Sequence, residues 1–226
     1  MARKTTGADR PSSGPPVAAG SVRGSLRAAA GVLLLGGLIF LAGVSRPVVS
    51  DWADAFDEEA RRIAIAKADA DQFTVGFVLM GVGFIVMGIG LGLWGTAVTR
   101  LETGRRATAA VVFGLLAAIG GFGPGLVRII GPLVDVEQAA GESGAIDVAF
   151  LPGAVALSLG FVGLGILTWR GPAPRWAGLL LAFTGVAAVV TFPAWYMFGA
   201  LVFGMVGVLH FRRSWPRKPY LPTGTR

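Results

Sequence analysis

Long apolar stretches alternate with short polar segments along most of the chain. Four stretches, residues 28–45, 73–95, 107–127 and 148–169, contain no Asp, Glu, Lys or Arg. Each is long enough for an α-helix that crosses a hydrocarbon core of ~30 Å. The first exceeds the apolar part of a typical signal peptide and lacks a small-x-small cleavage site after it, so we expect it to remain as a span. The pattern predicts an all-α membrane protein.

The last apolar stretch is too long for one crossing. Residues 176–211 are 36 residues without a charge, and one helix of that length would measure ~54 Å. Because proline cannot donate a backbone hydrogen bond to a continuing helix, we predict a turn at Pro193 between two spans, 176–192 and 194–211. The aromatic residues after this turn are expected at the level of the lipid headgroups: Trp195 and Tyr196. The prediction is therefore a bundle of six transmembrane helices.

The charges lie between the spans, and their sign alternates at every crossing. The net charge is +4 for residues 1–27, −3 for 46–72, +2 for 99–106, −3 for 128–147, +2 for 170–175 and +5 for 212–226. Lys and Arg concentrate in the cytoplasmic loops of membrane proteins. We therefore predict a multi-pass protein of the cell membrane with both termini in the cytoplasm. It would have a disordered basic tail over residues 1–27, a transmembrane domain over 28–211 and a second basic tail over 212–226.

The polar segment between the first two spans has a helical pattern of its own. Apolar residues such as Val49, Trp52, Phe56 and Ile63 recur at helical spacing, with charged residues on the other faces. This predicts one amphipathic helix on the outer membrane surface. Two roles remain open for it. It either caps the bundle, which we favour, or presents a surface to a partner.

Arg128 is the charge predicted to lie closest to the hydrocarbon. It follows the Gly- and Pro-rich residues 121–125, where we expect an irregular backbone that protein or a water-filled cavity must satisfy. One interpretation, which we favour, is an arginine that reaches the outer interface and pairs with Asp135 or Glu137. The other is an outward-facing pocket in which Arg128 contacts an anion. The candidate pocket or interface therefore comprises five residues: Arg128, Asp135, Glu137, Trp52 and Phe56.

Composition excludes several classes of function. The chain has no cysteine and one histidine, His210, which excludes disulfides, thiol redox chemistry and a haem with two histidine ligands from this chain. No metal or cofactor is predicted. The net charge of +7 is spread over tails and loops, which argues against binding of nucleic acid. Since the predicted spans carry no ionisable acid or base other than His210, ion-coupled transport is also disfavoured.

One motif suggests an enzyme, but its predicted geometry does not. Residues 141–144, Gly-Glu-Ser-Gly, resemble the Gly-x-Ser-Gly motif of rhomboid proteases, which also have six helices and a histidine in the sixth. The predicted topology places Ser143 outside and His210 at the inner end of the last span, ~25–30 Å apart. A nucleophile and its base need hydrogen-bond reach. No enzymatic activity is predicted.

Two functional hypotheses follow. The first is a non-catalytic accessory, scaffold or assembly subunit that contacts a protein partner, or a second copy of itself, through its glycine-rich helix faces. The second is a carrier of a small neutral solute, or the membrane-embedded substrate-binding subunit of a transporter. Six hydrophobic helices without buried charge suit a neutral ligand. The lipid bilayer is the expected environment in both.

Overall fold

The described part of the chain is entirely α-helical in its regular structure. The computed structural model describes residues 19–55, 58–141, 144–170, 175–190 and 194–212. In chain order its helices are α1 (Ala19–Val44), α2 (Pro47–Asp54), α3 (Glu59–Ala68), α4 (Ala70–Thr99), α5 (Arg105–Val134), α6 (Val136–Gly141), α7 (Gly144–Trp169), α8 (Arg175–Val190) and α9 (Ala194–Arg212). Four of them, α1, α4, α5 and α7, are long and apolar enough to cross a membrane. Two shorter apolar helices, α8 and α9, complete the architecture of a helical membrane protein.

The six apolar helices form a closed ring. Along the ring, α1 packs on α4, α4 on α5, α5 on α7, α7 on α8, α8 on α9, and α9 returns to α1. The remaining helices, α2, α3 and α6, pack together at the end where α4 begins and α5 finishes. We call these three helices the cap. Residues 191–193, which include the predicted turn at Pro193, lie outside the described residues.

Helix α1 begins earlier than the apolar pattern indicated. Its first residue, Ala19, lies within the segment predicted to be disordered. Two apolar side chains one helical turn apart, Val22 and Leu26, are buried against the bundle. Arg27, one residue after Leu26, is exposed. Burial of this apolar pair extends the helix through a stretch whose arginines had suggested a solvated tail.

Helix α5 continues past the end predicted for the third span. It contains Pro124 and Pro132 and reaches Val134, so the predicted irregular backbone around Arg128 is wrong. Neighbouring helices can compensate for a proline within a membrane bundle. Here the ring of Pro124 packs against Gly153 of α7, which has no side chain to obstruct it. Arg128 therefore projects from a regular helix.

The cap also differs from its prediction as one amphipathic helix. It contains two separate helices in that segment, α2 and α3, with Ala55 and Glu58 between them. Residues 56 and 57 lie outside the described residues. Val48, Val49, Arg62 and Ala66 are the buried side chains of these two helices. A short sixth helix packs on them, so the cap is a small folded layer.

Glycines set the helix spacing in the ring, and α4 shows this most clearly. One row at seven-residue spacing faces α1 and consists of Gly76, Gly83 and Gly90. A second row with the same spacing faces α5 and consists of Gly81, Gly88 and Gly95. A Cβ on Gly90 would lie 2.8 Å from the backbone nitrogen of Leu33, and one on Gly88 would lie 2.8 Å from the carbonyl oxygen of Ala117. Seven-residue spacing keeps each row on one face of a gently coiled helix. Both glycine rows of α4 therefore contact other helices of the same chain.

Aromatic side chains pack against one another inside the ring. Ring centroids are 5.0 Å apart for Phe40 and Phe84, 5.9 Å for Phe84 and Tyr196, 5.6 Å for Phe161 and Tyr196, and 4.8 Å for Trp94 and Phe203. Three of these pairs are edge-to-face, which is a favourable geometry for aromatic quadrupoles. These rings come from α1, α4, α7 and α9. They connect α9 with α4 and with α7, which are not its neighbours in the ring.

The position of Tyr196 corrects a prediction. It was expected at the headgroup level, but its side chain is only 1% exposed and lies inside the bundle. Its hydroxyl donates to the carbonyl oxygen of Ala154 at 2.8 Å and shares a hydrogen bond of 2.5 Å with Ser158. A buried tyrosine needs such partners for its polar tip. Because α7 supplies both hydrogen-bond partners, the aromatic ring of Tyr196 is buried without leaving its hydroxyl unpaired.

Candidate site at the cap

Two side chains of the cap bind the last carbonyl groups of α6. The indole nitrogen of Trp52, on α2, donates to the carbonyl oxygen of Ala140 at 3.1 Å. The Nη2 atom of Arg62, on α3, donates to the carbonyl oxygen of Gly141 at 3.1 Å. The last carbonyls of any helix lack intrahelical donors. These two bonds supply donors from outside and fasten α6 to both other cap helices.

Buried packing and an exposed ion pair also hold α6 against α3, and they contribute unequally. Arg62 is 5% exposed, so its hydrogen bond is shielded from water. Gly141 lies directly against Ile63, since a Cβ on Gly141 would be 2.8 Å from the Cδ1 atom of Ile63. Lys67 and Glu137 also form an ion pair, but both side chains are more than half exposed. Exposed pairs contribute only about 0–1 kcal/mol. The buried contacts therefore dominate the attachment.

Arg128 lies against the cap in an aromatic cage. Its Cζ atom is 4.7 Å from the ring centroid of Phe77, 5.5 Å from that of Phe150 and 5.8 Å from that of Trp52. A guanidinium within ~6 Å of an aromatic centroid is attracted by the electron-rich face of the ring. The three rings come from α4, α7 and α2. The cation on α5 thus connects three helices of the ring with one helix of the cap.

The absence of a side chain at Gly81 lets α4 and α5 approach closely beside this arginine. A Cβ on Gly81 would lie 2.5 Å from the carbonyl oxygen of Gly125 and 3.2 Å from the Cβ atom of Arg128. Gly81 is one turn beyond Phe77 on α4. The backbone of α4 therefore passes beside the stem of Arg128, and Phe77 comes within reach of the guanidinium.

The structure brings only part of the predicted site together. Arg128 and Trp52 are in contact, as described above. Asp135 and Glu137 have other roles, since Asp135 accepts from the backbone nitrogen of Gln138 at 3.0 Å and Glu137 pairs with Lys67. No ion pair between Arg128 and either carboxylate is found among the described side chains. Phe56 lies outside the described residues.

The two carboxylates instead belong to a separate surface feature. An open groove of about 280 Å³ lies between α3 and α6. It is lined by Glu59, Ile63, Asp135, Glu137, Gln138 and Gly141. Among the described residues, no group of three or more potential metal ligands is arranged to hold an ion. The groove is an acidic feature of the cap surface.

Three residues of the site were not identified from the sequence. Phe77 and Phe150 belong to apolar spans, where no sequence signal separates a cage residue from an ordinary core residue. Arg62 was assigned to the polar face of its helix. His210, which the predicted topology excluded as a base for Ser143, lies near the end of α9, opposite the cap, and Ser143 lies outside the described residues.

The chemistry of the site is that of a fixed contact. The cage holds a cation against aromatic faces, and the α6 carbonyls receive buried donors. These interactions connect the cap to the ring at several points. Comparison with known proteins yields no matching family model, no similar curated protein and no similar solved structure.

Proposed function

We propose that this chain is a non-catalytic accessory, scaffold or assembly subunit of a membrane complex, and that its cap is the surface that meets a protein partner. The observation that carries the proposal is the combination of paired aromatic side chains inside the ring with an acidic cap that buried hydrogen bonds hold together. A carrier of a neutral solute would need an interior site for its ligand. The aromatic pairs inside the ring favour the subunit over the carrier.

The hydrogen bonds of the buried polar side chains also favour the subunit over the carrier. The indole nitrogen of Trp94 donates to the hydroxyl of Thr168 at 3.0 Å, and the hydroxyl of Thr184 donates to the carbonyl oxygen of Leu180 at 2.9 Å. Tyr196 and Ser158 bind each other, as noted above. Trp94 and Tyr196 therefore form their hydrogen bonds with α7, and Thr184 forms its own within α8. That arrangement suits a structural interior better than a ligand site.

The cap offers a surface of defined charge. Among the described residues of the cap, its linkers and the start of α4, the exposed acidic residues exceed the exposed basic ones: Asp51, Asp54, Glu58, Glu59, Asp69, Asp71, Asp135 and Glu137, against Arg61 and Lys67. Surfaces of one sign steer partners of the opposite sign and suppress others of the same sign. We propose a partner with a basic face at this end.

Copurification tests the proposed function. We expect the chain, extracted gently from its native membrane, to copurify with a stoichiometric protein partner. The charge reversal Glu59→Lys at the acidic groove should reduce recovery of that partner about tenfold or more, since like charges at an interface cost several kcal/mol. The matched substitution Thr103→Lys, at an exposed position on the opposite end, should leave recovery unchanged.

Two outcomes would contradict the subunit proposal. One is a chain that purifies alone under the gentlest extraction and is thermally stabilised by a small neutral solute. The other is equal loss of the partner in both lysine variants, because the cap would then have no special part in the contact.

For topology we propose six spans with both termini in the cytoplasm of a cell, and the cap outside. Helices α8 and α9 have 16 and 19 residues, or ~24 and ~28 Å. Both lengths are close to one crossing of the bilayer. Charge supports the orientation, since the described residues at the end opposite the cap include seven arginines and one acid: Arg23, Arg27, Arg100, Arg105, Arg106, Arg170, Arg175 and Glu102.

Single cysteines test this topology in a chain that has none of its own. In intact cells a membrane-impermeant maleimide should label Gln138→Cys on the cap and should not label Thr103→Cys at the opposite end, because both positions are exposed and only their side of the membrane differs. Thr191→Cys should label and Thr223→Cys should not. Labelling of Thr223→Cys would refute six spans, and the reverse pattern at the first two positions would refute the orientation.

A further inference from the structure

The connection between α7 and α8 carries a symmetric pattern of aromatic and basic residues. The sequence from 169 to 176 is Trp-Arg-Gly-Pro-Ala-Pro-Arg-Trp. Trp169 and Trp176 are 43% and 52% exposed, although tryptophan is normally well buried, and Arg170 and Arg175 are exposed beside them. We call these four side chains the Trp–Arg hairpin.

Backbone contact between α7 and α8 fixes the ends of this hairpin. A Cβ on Gly178 would lie 2.5 Å from the backbone nitrogen of Trp169 and 2.7 Å from the carbonyl oxygen of Gly165. A Cβ on Gly165 would lie 2.5 Å from the backbone nitrogen of Ala182. The two helices therefore touch within one turn of the arginines. Arg170 and Arg175 consequently start from two closely packed helix ends.

The hairpin has no acidic partner among the described residues. The nearby α4–α5 loop differs, because there Arg106 pairs with Glu102 at 3.6 Å. The recorded ion pairs and hydrogen bonds of the described chain involve neither Arg170 nor Arg175. Two positive charges are thus available at this position for an anion from outside the chain.

The surface next to the hairpin is apolar and faces outward. Large exposed side chains continue along α7 and α8 from the two tryptophans towards the cap: Ile166 and Leu159 on α7, and Leu179, Phe183 and Val186 on α8. In a helix of a membrane protein, such a strip contacts acyl chains. A molecule with two long acyl chains and an anionic head would meet this strip and the two arginines at once.

We propose that the Trp–Arg hairpin is a binding site for an anionic phospholipid in the leaflet at the end opposite the cap. The arginines bind the phosphate diester through charge-assisted hydrogen bonds. The indole nitrogens of Trp169 and Trp176 donate at the level of the glycerol and ester groups, where tryptophan concentrates in membrane proteins. The apolar strip holds the acyl chains.

Lipid titration of the full chain tests the site. Binding of phosphatidylglycerol to delipidated, detergent-solubilised protein is followed by native mass spectrometry, with phosphatidylcholine as the neutral lipid. We expect a preference for phosphatidylglycerol that weakens about fivefold with each of Arg170→Gln and Arg175→Gln, and about 30-fold in the double variant. The matched double variant Arg100→Gln with Arg105→Gln removes the same charge from the α4–α5 loop. Its affinity for phosphatidylglycerol should fall much less.

Several results would overturn the proposal. An equal loss of phosphatidylglycerol affinity in the two double variants would show that binding responds only to total charge. An unchanged affinity in the variant without Arg170 and Arg175 would show that no site exists at the hairpin. A wild-type protein without preference for phosphatidylglycerol would also refute it. Inorganic phosphate should not displace the lipid or stabilise the protein, because it lacks the acyl chains. Displacement by phosphate would identify a site for a soluble anion.

A second pair of substitutions separates binding from folding. Trp169→Phe with Trp176→Phe keeps the aromatic rings and removes the indole donors. We expect a smaller loss of lipid affinity than in the arginine variant, with an unchanged melting temperature in phosphatidylcholine nanodiscs. An unchanged lipid affinity in this variant would refute the role assigned to the tryptophans.

Discussion

Replacing Gly88 by valine will destabilise the ring more than any exposed substitution of the same size. A Cβ at this position lies 2.8 Å from the carbonyl oxygen of Ala117 and 3.0 Å from the Cα atom of Gly121. Both obstacles are backbone atoms of α5, so neither can rotate away. We expect the free energy of unfolding to fall by about 3 kcal/mol, the upper range for overpacking. Thermal unfolding in a mild detergent, followed by tryptophan fluorescence, measures the loss.

Gly31→Val is the matched control for this prediction. No heavy atom outside its local helix lies within 4 Å of a Cβ at Gly31. Valine and glycine differ little in helix propensity, so we expect a change below about 0.5 kcal/mol. If the two variants unfolded at the same temperature, the α4–α5 interface would not depend on backbone contact at Gly88.

Replacing Arg62 by alanine will release α6 from the cap. The buried guanidinium would no longer donate to the carbonyl oxygen of Gly141, and a cavity would replace its side chain. Loss of a buried charge-assisted hydrogen bond, together with the cavity, should cost about 3 kcal/mol. The effect is local to the cap. We therefore expect faster amide hydrogen exchange in residues 136–141 before the ring helices respond.

Arg61→Ala controls for the loss of an arginine in the same helix. Arg61 is exposed and pairs with Glu58 at 3.3 Å, three residues away. Such pairs contribute little, so exchange in α6 should be unchanged. Protection of residues 136–141 that is equal in the two variants would show that Arg62 does not hold the cap together.

The long spans could be predicted because their signal is local. An apolar run of about 20 residues has few alternatives to a membrane helix, and four such runs correspond to α1, α4, α5 and α7. The errors arose at the ends. The prolines of α5 suggested a break, but the neighbouring helix accommodates Pro124, and this depends on a glycine that lies 29 positions further along the chain.

The cap could not be derived from its own segment because distant residues determine its contacts. Arg62 has the charge of a solvent-facing side chain, and its acceptor is Gly141, 79 residues away in sequence. Trp52 donates to a carbonyl 88 residues away. Hydrophobic periodicity reports the faces of one helix and carries no information about which later helix will cover them.

Arg128 shows the same division between local and distant information. Its place beside an apolar run identified it as a cation close to the hydrocarbon. The cage rings belong to three other helices, and Phe77 and Phe150 resemble every other phenylalanine of the spans in sequence. Pairing with Asp135 or Glu137 was expected because they are near in sequence. The contacts found are with the aromatic faces of Phe77 and Phe150.

The unequal lengths of the ring helices have a consequence for the surrounding lipid. Exposed apolar side chains on α5 extend from Val111 to Val134, which corresponds to ~36 Å along the helix axis. Two places further along the ring, the whole of α8 measures ~24 Å. A bilayer adjusts its thickness to the hydrophobic length that it meets. The proposed six-span topology therefore implies a bilayer that is thicker beside α5 than beside α8, and this thickness gradient would favour neighbouring proteins with short transmembrane segments on the α8 side.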